Sequence, residues 1–206
     1  MKIVSISDTH GMYRDLDIPE GDMLIHAGDI LSRGSLENLR DFNEWIGEQP
    51  HKYKVVIAGN HDWCFQDHLE VARMIMTNCI YLQDESVEIE GLKIYGSPWQ
   101  PWFFNWAFNL RTPEELKEKW DKIPEDTDVL VTHGPPLGIL DLTMDGLNVG
   151  CSELIKAVER IKPRAHIFGH IHEGYGDTML DGCIFVNASI NTHRYRPINE
   201  PIIFEI

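Results

Sequence analysis

The chain is poor in positive charge. Lys and Arg number 18 against 33 Asp and Glu, a formal net charge of −15. So acidic a surface repels polyanions, which argues against wrapping long nucleic acid or lying on an anionic membrane. It leaves room for a small phosphate ester, because two bound divalent cations would return positive charge at one spot and local charge governs a small ligand. Cysteine is also sparse. Cys64, Cys79, Cys151 and Cys183 form no C-x-x-C pair, and nothing in their spacing asks for a disulfide. They read as reduced, mostly buried thiols of a cytoplasmic protein. Long apolar runs are missing too. The run from Ile3 to Ile6 is interrupted by Ser5 and stopped by Asp8, too short for a signal-peptide core. No stretch approaches the apolar length of a membrane span. Linkers, repeats and low-complexity tracts are absent, so residues 1–206 read as a single domain.

What is present is an alternation of short apolar runs with segments of helical period, the pattern of an α/β fold. Lys2 to Ser7, Asp22 to Ala27, Lys54 to Ala58, Asp128 to Thr132, Arg164 to Phe168, Cys183 to Asn187 and Ile202 to Ile206 read as strands. Ser86 to Ile89 and Leu92 to Tyr95 flank Glu90-Gly91 as a tight hairpin. Leu36, Leu39, Phe42, Trp45 and Ile46 recur at helical spacing between Ser35 and Gly47, with the glycine as stop. Further helices are expected over Gln66 to Met76, from Pro113 and over Ser152 to Ile161. Thr112-Pro113-Glu114-Glu115 carries the marks of a helix start: a Thr cap, Pro in the first turn and Glu three residues on.

Polar motifs follow the strands: Asp8 and His10, Asp29, Asn60 and His61, His133, then His170 and His172. Strand ends along one edge of an α/β sheet are where such folds build sites, so residues far apart in sequence can meet. Asp8-Thr9-His10 sets two ligand-type side chains at i and i+2, on one side of an extended segment. Taken alone it is a turn Asp beside a solvated His. Gly28-Asp29 alone is a turn or capping Asp, but its carboxylate can bridge two cations. Gly59-Asn60-His61-Asp62 is more specific. An Asn amide oxygen is an unusual ligand that adds no charge. The next residue, His61, then points elsewhere, free to act as an acid with Asp62 to orient it. His133 precedes a rigid Gly134-Pro135-Pro136 turn, and Gly169-His170-Ile171-His172 repeats the i, i+2 spacing. Five of the ten His residues, three Asp and one Asn fall in these blocks. Their joint occurrence points to a dinuclear metal site.

The ordered set D-x-H, G-D, G-N-H-D, a lone His and G-H-x-H resembles the calcineurin-like metallophosphoesterase superfamily, and runs from Asp8 to His172. Ser7-Asp8-Thr9-His10, Gly96-Ser97-Pro98-Trp99-Gln100-Pro101, Asn105-Trp106-Ala107-Phe108 and Val131 to Gly138 resemble its metallophosphoesterase domain-containing (brain 239-like) subgroup. The resemblance implies a sandwich of two mixed β-sheets flanked by helices. It implies one metal held by Asp8, His10, Asp29 and His172, and a second by Asp29, Asn60, His133 and His170. It implies hydrolysis of a phosphodiester, with 2′,3′-cyclic nucleotides as candidates, by attack of a hydroxide that bridges the metals. On this reading His61, not a ligand, is expected to protonate the leaving oxygen or stabilise the developing charge, with Asp62 raising its basicity. Some animal members of the subgroup lack the first His of the last motif. This chain keeps it as His170, so a competent enzyme is implied rather than a non-catalytic scaffold. A phosphomonoesterase is the alternative within the class. Nitrogen and oxygen donors without thiolate suit two divalent ions such as Mn²⁺, with Fe, Zn²⁺ or Ni²⁺ as other choices.

Three secondary features complete the reading. Trp99, Trp102, Phe103, Phe104, Trp106 and Phe108 crowd one stretch, read as core packing ahead of a stacking wall for a nucleobase. The loop from Pro135 to Gly150 either covers the site or is passive surface. Arg33, Arg194 and Arg196 read as solvated rather than phosphate-binding. His26 and His166, inside apolar strands, read as core or site-supporting residues; His51, His68 and His193 read as surface.

Overall fold

A computed structural model describes all residues, Met1 to Ile206. The first sheet begins with β1 (Lys2–Ile6), β2 (Met23–Ala27), β3 (Tyr53–Ile57) and the short β4 (Ile80–Tyr81), joined in that order and all parallel. The second is built on β5 (Glu85–Ile89) and β6 (Leu92–Ser97), paired antiparallel across Glu90-Gly91. Both turn residues have positive φ, 49° and 80°, the backbone a tight hairpin needs. A two-stranded ribbon, β7 (Gln100–Pro101) with β8 (Asn109–Leu110), stands apart from both sheets. β9 (Val129–Thr132), β10 (Ala165–Phe168) and β12 (Cys183–Asn187) extend the second sheet in parallel, and β11 (Gly176–Leu180) closes its edge antiparallel. β13 (Ile202–Glu205) returns to pair antiparallel with β1.

Parallel strands covered on both faces should be apolar at nearly every position, and these are. Alternate residues supply two different cores. Ile3, Met23, Ile25, Val55 and Ile57 pack inward against Ile94, Val129, Val131, Ile167 and Val186 of the facing sheet. Val4, Ile6, Leu24 and Val56 point outward to α1 (Leu36–Glu48), where Leu39, Phe42 and Ile46 are fully buried. Tyr95, Leu130, Phe168 and Phe185 do the same on the second sheet beneath α4 (Pro113–Trp120) and α5 (Ser152–Ile161). The expected sandwich of two mixed sheets flanked by helices is therefore observed. No helix is long and apolar enough to cross a membrane. All four cysteines are free, three of them buried.

Some local expectations need correction. The helix expected over Gln66 to Met76 is two short ones, α2 (Trp63–Asp67) and α3 (Leu69–Ile75), because His68 leaves helical geometry at φ −140°. Gly47 does not stop α1, which runs on to Glu48. A Cβ at Gly47 would stand 2.6 Å from Asn78 Nδ2, so the glycine serves close packing instead of a cap. His51 is buried rather than exposed, with Nε2 3.0 Å from the Pro19 carbonyl. The capping box on α4 is formed as expected, Thr112 with Glu115.

Candidate metal centre

β1, β2, β3, β9 and β10 run parallel within their sheets, and the residues that follow them meet at one end of the sandwich. Asp8 and His10 follow β1, Asp29 follows β2, Asn60 and His61 follow β3, His133 follows β9, and His170 and His172 follow β10. This backbone is under strain. Asp8, His10, Asp29 and His170 hold positive φ of 54°, 47°, 52° and 67°. Such conformations cost on the order of 1 kcal/mol or more each for residues with a Cβ, and gather where function fixes the geometry. Two glycines allow the crowding. A Cβ at Gly59 would strike the Asp29 backbone and carboxylate, and one at Gly169 would strike the Asp8 carboxylate and the Ser7 side chain.

All seven residues expected as ligands converge. His172 Nε2 is 3.3 Å from Asp8 Oδ1 and 3.3 Å from His10 Nε2. His10 Nε2 is 3.8 Å from Asp29 Oδ2. On the other side His133 Nε2 is 3.4 Å from Asp29 Oδ1 and 3.0 Å from Asn60 Oδ1. The potential donor atoms of Asp8, His10 and His172 lie within 4.8 Å of one another, as do those of Asp29, His133 and His170. Asp29 thus turns one oxygen to each group.

The hydrogen-bond chemistry of this cluster fits cations. His133 Nδ1 is 3.0 Å from the Ala27 carbonyl and His172 Nδ1 is 3.0 Å from that of Thr192, so each proton sits on Nδ1 and donates outward. That leaves the Nε2 lone pairs facing carboxylate and amide oxygens, acceptor against acceptor, a buried arrangement that is unfavourable until positive charge enters it. The titration behaviour says the same. Burial opposes charge on His133 and His172, yet Asp29 and Asp8 beside them raise each to about 9. His10 and His170, more dominated by burial, fall to about 4 and about 3.

Supporting contacts come from residues the motifs did not mark. Ser189 Oγ donates to Asp8 Oδ2 at 2.9 Å, and Asn191 Nδ2 donates to the Asp8 carbonyl at 2.6 Å. Asn187 ends β12 and Ser189 and Asn191 follow it at alternate positions, so the rule of polar groups at a strand end would have found them. Ser32 donates its hydroxyl to the His10 carbonyl and receives His61 Nδ1 at its own carbonyl, 2.8 Å away. Trp106 stacks on the His61 imidazole with centroids 4.1 Å apart.

Asp62 needs correction as the partner that orients His61. Its buried carboxylate instead accepts the backbone N–H groups of Ile30, Leu31 and Gly59 at 3.1, 2.8 and 2.8 Å. Burial and the charge of Asp29 push it up to about 7, against those three donors. Asp62 ties the loop after β2 to the loop after β3. The side chain of His61 is oriented by the Ser32 carbonyl and Trp106.

Above the cluster opens a cavity of about 530 Å³. Thr143 and Val149 of the 135–150 loop line it, so that loop adjoins the site. The aromatic segment divides. Phe108 is buried and Trp99 half-buried, while Trp102, Phe103 and Phe104 are each at least half exposed. Arg33, Arg194 and Arg196 are exposed and none lines the cavity.

The family model for calcineurin-like phosphoesterases matches residues 1–174. The chain belongs to that family. Over its full length it is 46% identical to metallophosphoesterase domain-containing protein 1 of Homo sapiens, covering 71% of that protein. It is 40% identical to UPF0046 protein C25E10.12 of Caenorhabditis elegans, all of the chain against 81% of that protein. Among solved structures, TT1561 of Thermus thermophilus superposes with a TM-score of 0.62 at 15% identity, over 90% of this chain and 88% of that one. That likeness shows a shared fold. Membership makes the protein a metallophosphoesterase by family, with a His/Asp cluster placed to bind metal.

Proposed function

We propose that the protein is a dinuclear-metal phosphodiesterase. One observation carries the choice of diester over monoester: no Lys or Arg lines the cavity. A monoester carries nearly two negative charges at neutral pH, a diester one. Enzymes that hold a dianionic phosphoryl group typically add Arg or Lys to the metals. Here the charge balance rests on the His cluster and whatever cations it holds.

Asp8, His10, Asp29 and His172 would hold one cation and Asp29, Asn60, His133 and His170 the other, with Asp29 shared. Two divalent ions so held, Mn²⁺ first among those that suit nitrogen and oxygen donors, would acidify a water and polarise the phosphate oxygens. The remaining work falls to the chain. His61 Nε2 faces the Asp29 carboxylate at 3.9 Å, at the edge of the cavity. With Nδ1–H held by the Ser32 carbonyl, an imidazolium at this position carries its second proton on Nε2 and gives it to the leaving oxygen. Stacked Trp106 keeps the ring from turning out of line. Asn60 completes a donor group without adding negative charge.

The 2′,3′-cyclic nucleotides implied by the subgroup are monoanionic diesters and satisfy this reading. Paired turnover of an aryl diester and the matching aryl monoester, with Mn²⁺, Ni²⁺, Zn²⁺ or Fe²⁺ supplied to chelator-treated protein, tests it. The diester should be preferred and chelation should abolish both. Equal or faster turnover of the monoester would overturn the assignment.

A further inference from the structure

We propose that the substrate's organic arm is apolar: the site takes phosphodiesters bearing a long or bulky hydrocarbon group beside the phosphate. This rests on the phosphodiesterase reading. The polar lining of the cavity is concentrated at its floor. Its walls carry Pro101, Trp102, Phe103, Pro135, Val149 and Tyr195, against Thr143, Glu173 and His193 as polar groups away from the cluster.

The apolar character continues outward. Phe104, Leu142, Met144 and Leu147, on the same two segments as Phe103 and Val149, are each more than half exposed. Exposed apolar residues scattered singly need no explanation, but a concentration beside one opening marks a binding surface. Charge follows the same map. Only two of the chain's 33 acidic residues, Asp141 and Asp145, fall in segments 99–111, 135–150 and 192–197, where three Arg also lie. Glu173 also lines the cavity, so the rim carries few negative charges, not none, on an otherwise strongly acidic protein.

These side chains are held outward by polar clamps. Asn109 donates to the Phe103 and Phe104 carbonyls at 3.1 and 3.0 Å. Buried Asp141 accepts from Gly138 and Gly150 N–H, both at 2.9 Å, closing the base of the other loop. Thr143 and Leu147 pair through a 3.0 Å backbone bond, which shapes the tip between them. Ordered backbone that displays rings and aliphatic chains to solvent forgoes their burial. An apolar substrate arm accounts for that arrangement, because it recovers the burial at the moment of binding.

The test is a series of 4-nitrophenyl alkyl phosphates from methyl to octyl, assayed with Mn²⁺ below their aggregation concentrations. kcat/KM should rise by up to about threefold to fourfold per buried methylene before levelling. In the exposed double variant Trp102→Ala, Phe103→Ala the octyl-to-methyl ratio should fall toward one. A second arm presents the octyl ester in phosphatidylcholine vesicles: faster turnover there assigns a lipid surface as the source, slower turnover a dissolved amphiphile. A flat series, an unchanged ratio in the double variant, or a tenfold preference for thymidine 5′-(4-nitrophenyl) phosphate over the octyl ester overturns the proposal. In those cases turnover of the methyl ester shows that the phosphodiesterase reading survives. Loss of turnover on every ester overturns both.

Discussion

The His26 ring nitrogen Nε2 lies 2.9 Å from the Thr9 hydroxyl. The pairing recurs on the other sheet, where His166 Nε2 lies 2.8 Å from the Thr132 hydroxyl. Each hydroxyl also donates to a carbonyl, Thr9 to Ile30 at 3.1 Å and Thr132 to Gly134 at 2.8 Å. The hydroxyl's proton is thereby used, so it must accept from the ring. Each His is therefore neutral with its proton on Nε2. Both rings are fully buried on the outward face of a central strand, and each Thr sits beside a metal-type residue. Two separate sheets thus brace the loops of the candidate metal centre with the same device. Thr9→Val should leave His26 N–H unsatisfied in the core and cost about 1–3 kcal/mol. A thermal melt should show this as a fall of roughly 2–4 °C per kcal/mol. An unchanged melting temperature would mean that the pair does not brace the loop.

The same burial predicts acid sensitivity. Burial lowers His166 and His26 each to about 3, below the ordinary value of 6.5. For a His depressed in the fold, the unfolded chain binds the proton first, so stability falls as pH drops from 6.5 toward 3. Each group contributes a slope of up to about 1.4 kcal/mol per pH unit in that window. His166→Gln, which keeps a side-chain N–H donor, should flatten the decline of melting temperature between pH 6.5 and 4.5 relative to its own pH 7.5 value. A parallel decline in variant and wild type would remove His166 from the cause.

Removing the proposed acid should separate metal binding from chemistry. His61→Ala is expected to retain both cations by elemental analysis and to lose about 10²–10⁴-fold in kcat on a poorly activated diester. The loss should shrink on a 4-nitrophenyl ester, whose leaving group needs little protonation. Wild-type turnover of a poorly activated diester by this variant would show that some other group supplies the proton.

Asp29 offers one oxygen to each donor group, so its loss should affect both. Asp29→Asn should weaken each metal at least about 100-fold, beyond what changes to supporting residues cause. Calorimetric titration with Mn²⁺ checks this. Loss of one ion with the other unaffected would contradict a shared carboxylate.

A methyl group at Gly169 would collide with the Asp8 carboxylate and Ser7. Gly169→Ala should cost about 1–3 kcal/mol by overpacking and displace Asp8 from the cluster. Metal content and melting temperature should fall together; a normal value of both would show that the loop can yield.

Most strands were legible because burial on both faces writes an unbroken apolar run followed by a Gly, Asp, Asn or His. α5 matched its expected bounds, Ser152–Ile161, since its apolar residues keep strict helical spacing. The joined helix expected near Met76 failed because a break at His68 leaves no mark in that spacing. β11 was overlooked because an edge strand with mostly exposed residues writes no apolar pattern. The reading of the aromatic segment as core packing held only in part for a related reason: a ring's identity does not tell whether it is buried, like Phe108, or displayed, like Phe104.

The residues that gather at the candidate metal centre could be named from the linear chain. Ligand-type side chains follow the apolar runs in the order of the motifs that the resemblance marks, so Asp8 through His172 stood out as candidates before folding brought them together. What holds those donors in place emerged only on folding. Asp62 was placed beside His61 by adjacency in the chain. Folding turned its carboxylate toward Ile30, Leu31 and Gly59 and gave the His61 ring to Ser32 and Trp106. Hydrogen-bond partners are set by distance and direction between segments dozens of residues apart, and these exist only once the two sheets have packed.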